Sequence, residues 1–382
     1  MKSGPGPIKG FPLEKEEEST GKDFYKLLEL KGISRRSFLK YCASTAVLLG
    51  LSSLHAPAIA EAIEKMAKRP SVVWLCFMEC LGCTESFANA TYPEIDKLIL
   101  EMISLEYHEA LMAAAGERAH ENLWNAVKEG GYLCVVEGAV ATKIPSAMTV
   151  GGMTSMDIME KVGRKAKAVI AVGTCATHGG TQGADPNPTG AVGIVEYFKM
   201  KGITTPVINL PGCPVNPENI ISTVLHVLLL EKLPALDSYQ RPLEFYGQTI
   251  HDNCPRRAHF DEGRFVEVLG SREEALGYCL YKVGCRGPLT YSNCPKILWN
   301  NRQNWCIGVA PCIGCFEPYF WDRFRDFYKP LPDVKLPGVR ANADKIGVGI
   351  AAATAAGVGV HLVGKALKGK KKEGGAGGEK EE

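Results

Sequence analysis

Between His251 and Cys315 lie seven of the chain's fourteen cysteines, spaced as His251-x-x-Cys254, Cys279-x5-Cys285, Cys294, Cys306 and Cys312-x-x-Cys315. Thiolates, with imidazole as an occasional substitute, are the ligands of iron-sulfur clusters, and a four-iron cluster takes four of them. One histidine with seven cysteines makes eight ligands, which reads economically as two clusters. At fourteen in 382 residues the cysteines are too dilute for a disulfide scaffold, and C-x-x-C pairs favour metal or redox chemistry.

Three further cysteine motifs lie earlier: Cys80-Leu81-Gly82-Cys83, Gly173-Thr174-Cys175-Ala176 and Pro211-Gly212-Cys213-Pro214. The elements that must position them are short apolar runs of strand length, Val72 to Phe77, Tyr132 to Val136, Ala168 to Val172 and Pro206 to Leu210. Helix-like stretches separate these runs: Tyr92 to Ala115, Glu117 to Lys128, Ser155 to Lys165 and Asn219 to Leu230. Apolar strands alternating with helices imply βαβ units and a flavodoxin-like open parallel sheet covered on both faces. Ligands in such sheets bind beyond the carboxyl ends of the strands, which is where Cys80, Cys83, Cys175 and Cys213 fall. Three loops distant in sequence then converge with four thiolates, the set a single cubane needs, and the neighbouring glycines let backbone amides approach its sulfurs. Cys76 and Cys134 lie inside apolar runs and read as small core hydrophobes. With these two and Cys42 set aside, eleven cysteines and His251 make twelve ligands, three sets of four.

Lysine and arginine number 44 against 42 acidic residues, so no basic field points to nucleic acid. Residues 1–33 are polar and expected to be disordered. Ser34-Arg35-Arg36-Ser37-Phe38-Leu39-Lys40, a modest apolar run and Ala58-Ile59-Ala60 read as a twin-arginine export signal, so residues 1–60 form the N-region and signal. That route carries folded proteins, which suits clusters assembled before export. Residues 61–247 are the expected flavodoxin-like domain, 248–335 a loop-rich, mostly helical iron-sulfur domain, and 336–345 a linker. Phe320, Trp321, Phe324 and Phe327 recur at helical spacing and read as a packing face in the core or at a subunit interface. Ile346 to Val363 is an uncharged run of 18 residues, slightly short for a spanning helix. We read 346–364 as a C-terminal transmembrane helix, the alternative being an amphiphilic tail. The lysines of the 365–382 tail place the C-terminus in the cytoplasm and the globular body on the exported face. Gly349, Ala353, Gly357 and His361 share one helix face suited to packing on another membrane helix. An intramembrane His361 invites a haem or quinone contact, against an interfacial histidine without cofactor.

Taken jointly, the signal Arg35-Arg36-Ser37-Phe38-Leu39-Lys40, Val72-Val73-Trp74-Leu75, Glu79-Cys80-x-Gly82-Cys83-Thr84-Glu85, Gly173-Thr174-Cys175-Ala176, Pro211-Gly212-Cys213-Pro214, His251-x-x-Cys254-Pro255-Arg256 and Cys312-Ile313-Gly314-Cys315 resemble the small, electron-transferring subunit of membrane-bound [NiFe] hydrogenases. The resemblance implies a proximal [4Fe-4S] cluster on Cys80, Cys83, Cys175 and Cys213, facing a separate large subunit that holds the Ni-Fe site and splits dihydrogen. It implies a distal [4Fe-4S] cluster on His251, Cys254, Cys279 and Cys285, where electrons leave for a membrane acceptor such as a cytochrome b or quinone. The partners it implies are the hydrogenase large subunit, that integral membrane acceptor and the twin-arginine translocation machinery.

Two departures from the family pattern carry information. Where usual members have Asn-Trp-Pro and a three-iron medial cluster, this chain has Asn304-Trp305-Cys306. The expectation is therefore a medial [4Fe-4S] cluster on Cys294, Cys306, Cys312 and Cys315, or a [3Fe-4S] cluster if Cys306 does not ligate. Oxygen-tolerant relatives carry two extra proximal cysteines at the positions of Gly82 and Gly180, so tolerance by a six-cysteine cluster is not expected. Glu79 could help move protons away from the Ni-Fe site, against the plainer reading of a hydrogen-bonded interface acid. His178, three residues after Cys175, reads as a neighbour of the ligands rather than a ligand. The reading as a whole is an uptake-hydrogenase subunit with no catalytic nucleophile of its own. The alternatives are an exported multi-cluster carrier or structural module without hydrogenase activity and, for the α/β half, a relative of the cluster-bearing subunit of complex I.

Overall fold

A computed structural model of the chain describes residues 69–91, 95–97, 102–299 and 305–330, with 40, 42–43, 56–57, 99, 334–336, 339–341 and 352–362 in addition. The twin-arginine reading falls outside the described residues, apart from isolated positions. Two compact units are present, one ending at Lys329 and one running from Pro330.

Five parallel strands make the main sheet of the first unit: β1 (Ser71–Cys76), β2 (Ser104–Tyr107), β3 (Leu133–Glu137), β4 (Ala168–Val172) and β5 (Val207–Leu210). Their order is β2-β1-β3-β4-β5, that of a flavodoxin-like doubly wound sheet. Side chains alternate between its faces as the pleat requires. Val72, Trp74 and Cys76 join one buried cluster with Ile220 and Val224, while Val73, Leu75 and Phe77 join another with Leu123, Ile158 and Phe198. Cys134 is fully buried in the second cluster, and Cys76 keeps 2% of its exposure in the first. Cys294, Ile307, Cys312 and Phe316 of the cysteine-rich half belong to the first cluster, so that half closes one face of the sheet.

Besides several shorter helices, the helices of the sheet half are α1 (Gly82–Ala88), α2 (Gly116–Glu129), α3 (Ser155–Lys165), α4 (Gly173–His178), α5 (Ile194–Lys201) and α6 (Pro217–Leu230). The Asn216 side chain accepts from the Glu218 amide at 3.0 Å and Pro217 follows at the first helical position, so α6 starts where its sequence says it should. The stretch Tyr92 to Ala115, expected to be helical, instead carries edge strand β2, preceded by one short helix, Ile95–Lys97. Ser-Leu-Glu-Tyr is too short and too polar to announce a strand, and pairing with β1 supplies what local preference does not. The aromatic segment after Cys315 is helical only over Phe320–Arg323, yet Phe320, Trp321 and Phe324 are buried together with Phe327 against them.

In the second unit Val334–Leu336 pairs antiparallel with Val339–Ala341, so a hairpin strand stands within the stretch read as linker. Residues 352–362 are helical and exposed, His361 among them. Among the described residues no helix is long and apolar enough to cross a membrane. Those eleven residues span about 16 Å at 1.5 Å each, against a hydrocarbon core of about 30 Å. The rest of the 346–364 stretch lies outside the described residues.

Candidate metal centres

Cys76 pairs with Glu137, Glu137 with Val172 and Val172 with Leu210, so four strands end in one row. The loops leaving that row carry Cys80 and Cys83 after β1, Cys175 after β4 and Cys213 after β5. They are stitched together by hydrogen bonds. The Thr174 amide donates to Gly212 O at 2.9 Å, and the Gly212 amide donates to Thr174 Oγ1 at 3.0 Å. Ser86 Oγ donates to Val215 O at 2.6 Å. Gly173, at φ +88°, lies so close to Cys83 that a Cβ would sit 2.7 Å from its Sγ, and a Cβ on Gly82 would sit 3.1 Å from Cys80 Sγ. Only glycine gives the backbone both that conformation and that approach at position 173. A Cβ on Gly180 would collide with Cys175 Sγ, so space around this set is already taken.

Burial pushes the Cys83 thiol well above its usual value, with the Glu137 charge and the Cys175 and Cys213 sulfurs adding to the effect. Cys175 is pushed up to about 12 by burial and then by the facing Cys213 and Cys80. Thiols that raise one another in this way are near neighbours, and they ionise together only when a metal replaces their protons. Cys80 and Cys213 are exposed, so the set opens to the surface on one side.

One functional residue escapes a reading of the sequence. Glu137, 2% exposed at the end of β3, accepts from the amides of Cys83 (2.9 Å) and Thr84 (3.0 Å) and from Thr84 Oγ1 (2.6 Å). It thereby fixes the first turn of α1, which carries Cys83. Its only sequence signal is a carboxylate ending the apolar run Leu133 to Val136. Beside it, burial raises the Glu79 carboxyl to about 7, with Glu137 and Glu109 contributing. His178 packs edge-on to Tyr239, ring centroids 6.3 Å apart, and burial lowers it to about 4, leaving a neutral imidazole.

The structure brings His251, Cys254, Cys279 and Cys285 to the walls of one cavity, with Arg256 and Ile307 beside them. Cys254 Sγ accepts from the Arg256 amide and Cys285 Sγ from the Gly287 amide, both at 3.4 Å. Arg256 also donates to Ile307 O (2.8 Å), Gly308 O (3.0 Å) and Tyr278 O (2.7 Å), clamping the cavity wall. His251 stands edge-on to Phe260 at 4.5 Å, and its pKa is lowered, first by burial, which keeps the imidazole neutral as ligation requires.

Cys294 and Cys312 are buried in one cluster, with Cys315 packed against it. Cys312 Sγ accepts from the Gly314 amide, and Ser292 Oγ donates to Cys294 Sγ, each at 3.4 Å. Cys306 lies in the short helix α7, Trp305–Val309, and its side chain is outside the described residues. Successive sets touch. Thr174 Oγ1, next to Cys175, donates to Cys315 O at 2.6 Å, while the amide of Arg286, next to Cys285, donates to Cys312 O at 2.7 Å.

No three His, Cys, Asp or Glu side chains converge on a single-ion site among the described residues. Cluster ligands each take a different corner and need no common point, and amide N–H groups aimed at their sulfurs are the usual support of such a group. Thiolates with one imidazole, and amides donating to the sulfurs of Cys254, Cys285 and Cys312, fit iron-sulfur clusters.

Two family models match this chain. Residues 246–328 match the C-terminal model of the NiFe/NiFeSe hydrogenase small subunit, and residues 80–227 match that of the 20 Kd subunit of NADH ubiquinone oxidoreductase. Among curated relatives, the periplasmic [NiFe] hydrogenase small subunit 1 of Nitratidesulfovibrio vulgaris is 48% identical over 79% of this chain and 95% of its own length. The quinone-reactive Ni/Fe-hydrogenase small chain of Wolinella succinogenes is 43% identical over 88% of this chain and 97% of its own. Among solved structures, a chain of the reduced, active Ni-Fe-Se hydrogenase from Desulfomicrobium baculatum superposes with a TM-score of 0.65 at 36% identity, covering 69% of this chain and all of that one.

Proposed function

The chain belongs to the NiFe hydrogenase small-subunit family, and we propose that it serves as the electron relay and membrane anchor of an exported uptake hydrogenase. The observation that carries the relay is the succession of donor sets. Cys80, Cys83, Cys175 and Cys213 come first, at an exposed edge that a large subunit would cover. Cys294, Cys312 and Cys315 follow, with Cys306 proposed as the fourth member of their set, joined to the first through Thr174 and Cys315. His251, Cys254, Cys279 and Cys285 come last, joined through the Arg286 amide, which follows Cys285 and donates to Cys312 O. Iron-sulfur clusters at these sets, all three of the [4Fe-4S] type, supply reversible one-electron storage. The chain's own part is to hold them in order, exclude water from the buried sulfurs and aim amides at them. No bond-breaking residue is required of it.

Two features favour this over the complex I reading. The NADH ubiquinone oxidoreductase model ends at residue 227, whereas a second, hydrogenase-specific model takes up the later donor sets. The periplasmic and quinone-reactive names of the relatives also agree with export and with a membrane acceptor such as a cytochrome b or quinone. The 346–364 stretch is the proposed anchor, with the body on the exported face. Purification of the native complex is expected to yield a nickel-containing large subunit and three clusters' worth of iron on this chain. A nickel-free preparation of this chain without a large partner would overturn the proposal.

Glu79 is proposed to pass protons at the boundary with the large subunit, because it is half-buried beside Glu137 and one of its carboxylate oxygens lacks a hydrogen-bond partner. Glu79→Gln is expected to slow proton-deuterium exchange while the cluster spectra stay unchanged. Full exchange in that variant would reject the role.

A further inference from the structure

Two arginines of this chain are equally buried, each 3% exposed, and they are treated in opposite ways. Arg241 holds two carboxylates, Asp237 at 2.7 Å and Glu317 at 3.1 Å. Arg286 holds none among the described residues. Its Nη1 donates to Lys329 O at 3.1 Å, its guanidinium carbon lies 5.9 Å from the centroid of the Phe324 ring, and its Nε is buried with no hydrogen-bond partner. An unpaired guanidinium out of water costs several kcal/mol unless an anion faces it. Arg241 shows how this fold normally meets that cost.

Arg286 stands between residues of two donor sets. It follows Cys285 directly, and its amide donates to Cys312 O at 2.7 Å. Burial lowers the Arg286 pKa, and the ionisable groups that act against this are Cys285, Cys312 and Tyr281. Phe324, under the guanidinium, is also the ring that a Cβ on Gly314 would meet at 2.5 Å, and the Gly314 amide donates to Cys312 Sγ. Arg286 is thus wedged between one ligand of the last donor set and one of the middle set.

We propose that Arg286 is the counter-cation shared by the medial and distal clusters, and that its fixed charge raises the reduction potential of both. A [4Fe-4S] cluster on four thiolates, or on three and a neutral imidazole, is anionic, and each added electron makes it more so. A neighbouring positive charge in a low-dielectric interior therefore favours the reduced state. The step is a one-electron reduction with no proton, because guanidinium stays protonated throughout. The same charge would help to settle the thiolates when the sets are first loaded. The inference rests on the proposed relay, which iron content and EPR of the unaltered complex test separately.

The experiment is a redox titration of the whole complex, followed by EPR, with Arg286→Gln and Arg286→Lys. Gln keeps a donor for Lys329 O and removes the charge; Lys keeps the charge and loses the planar fork. With iron content unchanged, the Gln variant is expected to lower the medial and distal potentials together and leave the proximal one in place, while Lys stays near the parent. Parent potentials in the Gln variant would overturn the proposal, and so would a shift in Lys as large as that in Gln. Should the Gln chain fail to retain its iron, Lys decides alone: parent potentials support the charge, and a downward shift in both clusters refutes it.

Discussion

Arg241→Met is expected to destabilise the first unit by about 3–5 kcal/mol, the usual cost of removing one partner from a buried ion pair. Arg241 and Glu317 are 3% and 4% exposed, and the guanidinium reaches Glu317 Oε1 at 3.1 Å and Asp237 Oδ2 at 2.7 Å. Asp237 is held by the amides of Tyr239 (2.8 Å) and Arg241 (2.9 Å), and Glu317 by the amide of Tyr291 (2.8 Å). The pair joins the sheet half to the cysteine-rich half, two residues beyond Cys315. Without the arginine, the Glu317 carboxylate is left charged and out of water, which costs more than the lost attraction alone. Urea unfolding should show a lower midpoint, and cluster absorbance should bleach at lower urea. The double variant Arg241→Met with Glu317→Gln should recover part of the loss, because the stranded charge is gone while the Tyr291 amide keeps its acceptor. A double variant no better than the single one would show that shape, and not charge, dominates at this junction.

What can be read from the sequence follows from how locally each feature is determined. β1, β3, β4 and β5 are legible because a parallel strand covered on both faces is a continuous apolar run. Strand β2 is not, since Ser104 to Tyr107 sits at the sheet edge and only Tyr107 is fully buried. One rule places the ligand loops, that such sheets bind at the carboxyl ends of their strands, and the row Cys76, Glu137, Val172 and Leu210 explains why it works here. Helices α1 and α4 are not legible, because short turns like these depend on tertiary partners, Glu137 for α1 and the Thr174–Gly212 pair for α4. Arg241 and Glu317 stand 76 residues apart with no motif to link them, so only the fold pairs them. Arg286 follows a recognised ligand, yet its isolation from any carboxylate among the described residues becomes visible only in three dimensions.

Replacing Cys306 by proline is expected to convert the medial cluster from four irons to three, visible as a sharp EPR signal of the oxidised state near one spin per molecule that the unaltered protein lacks. Cys306 is the second residue of α7, in the first helical turn, where a backbone N–H has no partner within the helix and proline is tolerated. Its neighbour Ile307 is 2% exposed, and Arg256 holds the carbonyls of Ile307 and Gly308, so the turn stays anchored whichever residue precedes it. The substitution therefore removes a thiolate without removing the support of the loop. Cys294, Cys312 and Cys315 remain, with their hydrogen bonds from Ser292 Oγ and the Gly314 amide, and three thiolates hold a three-iron core. The medial potential should rise with the change in cluster type. The proximal and distal sets share no ligand with Cys306, so their spectra should keep their form. A three-iron signal already present in the freshly purified, unaltered protein would mean that Cys306 is a bystander, and the proline variant would then change nothing.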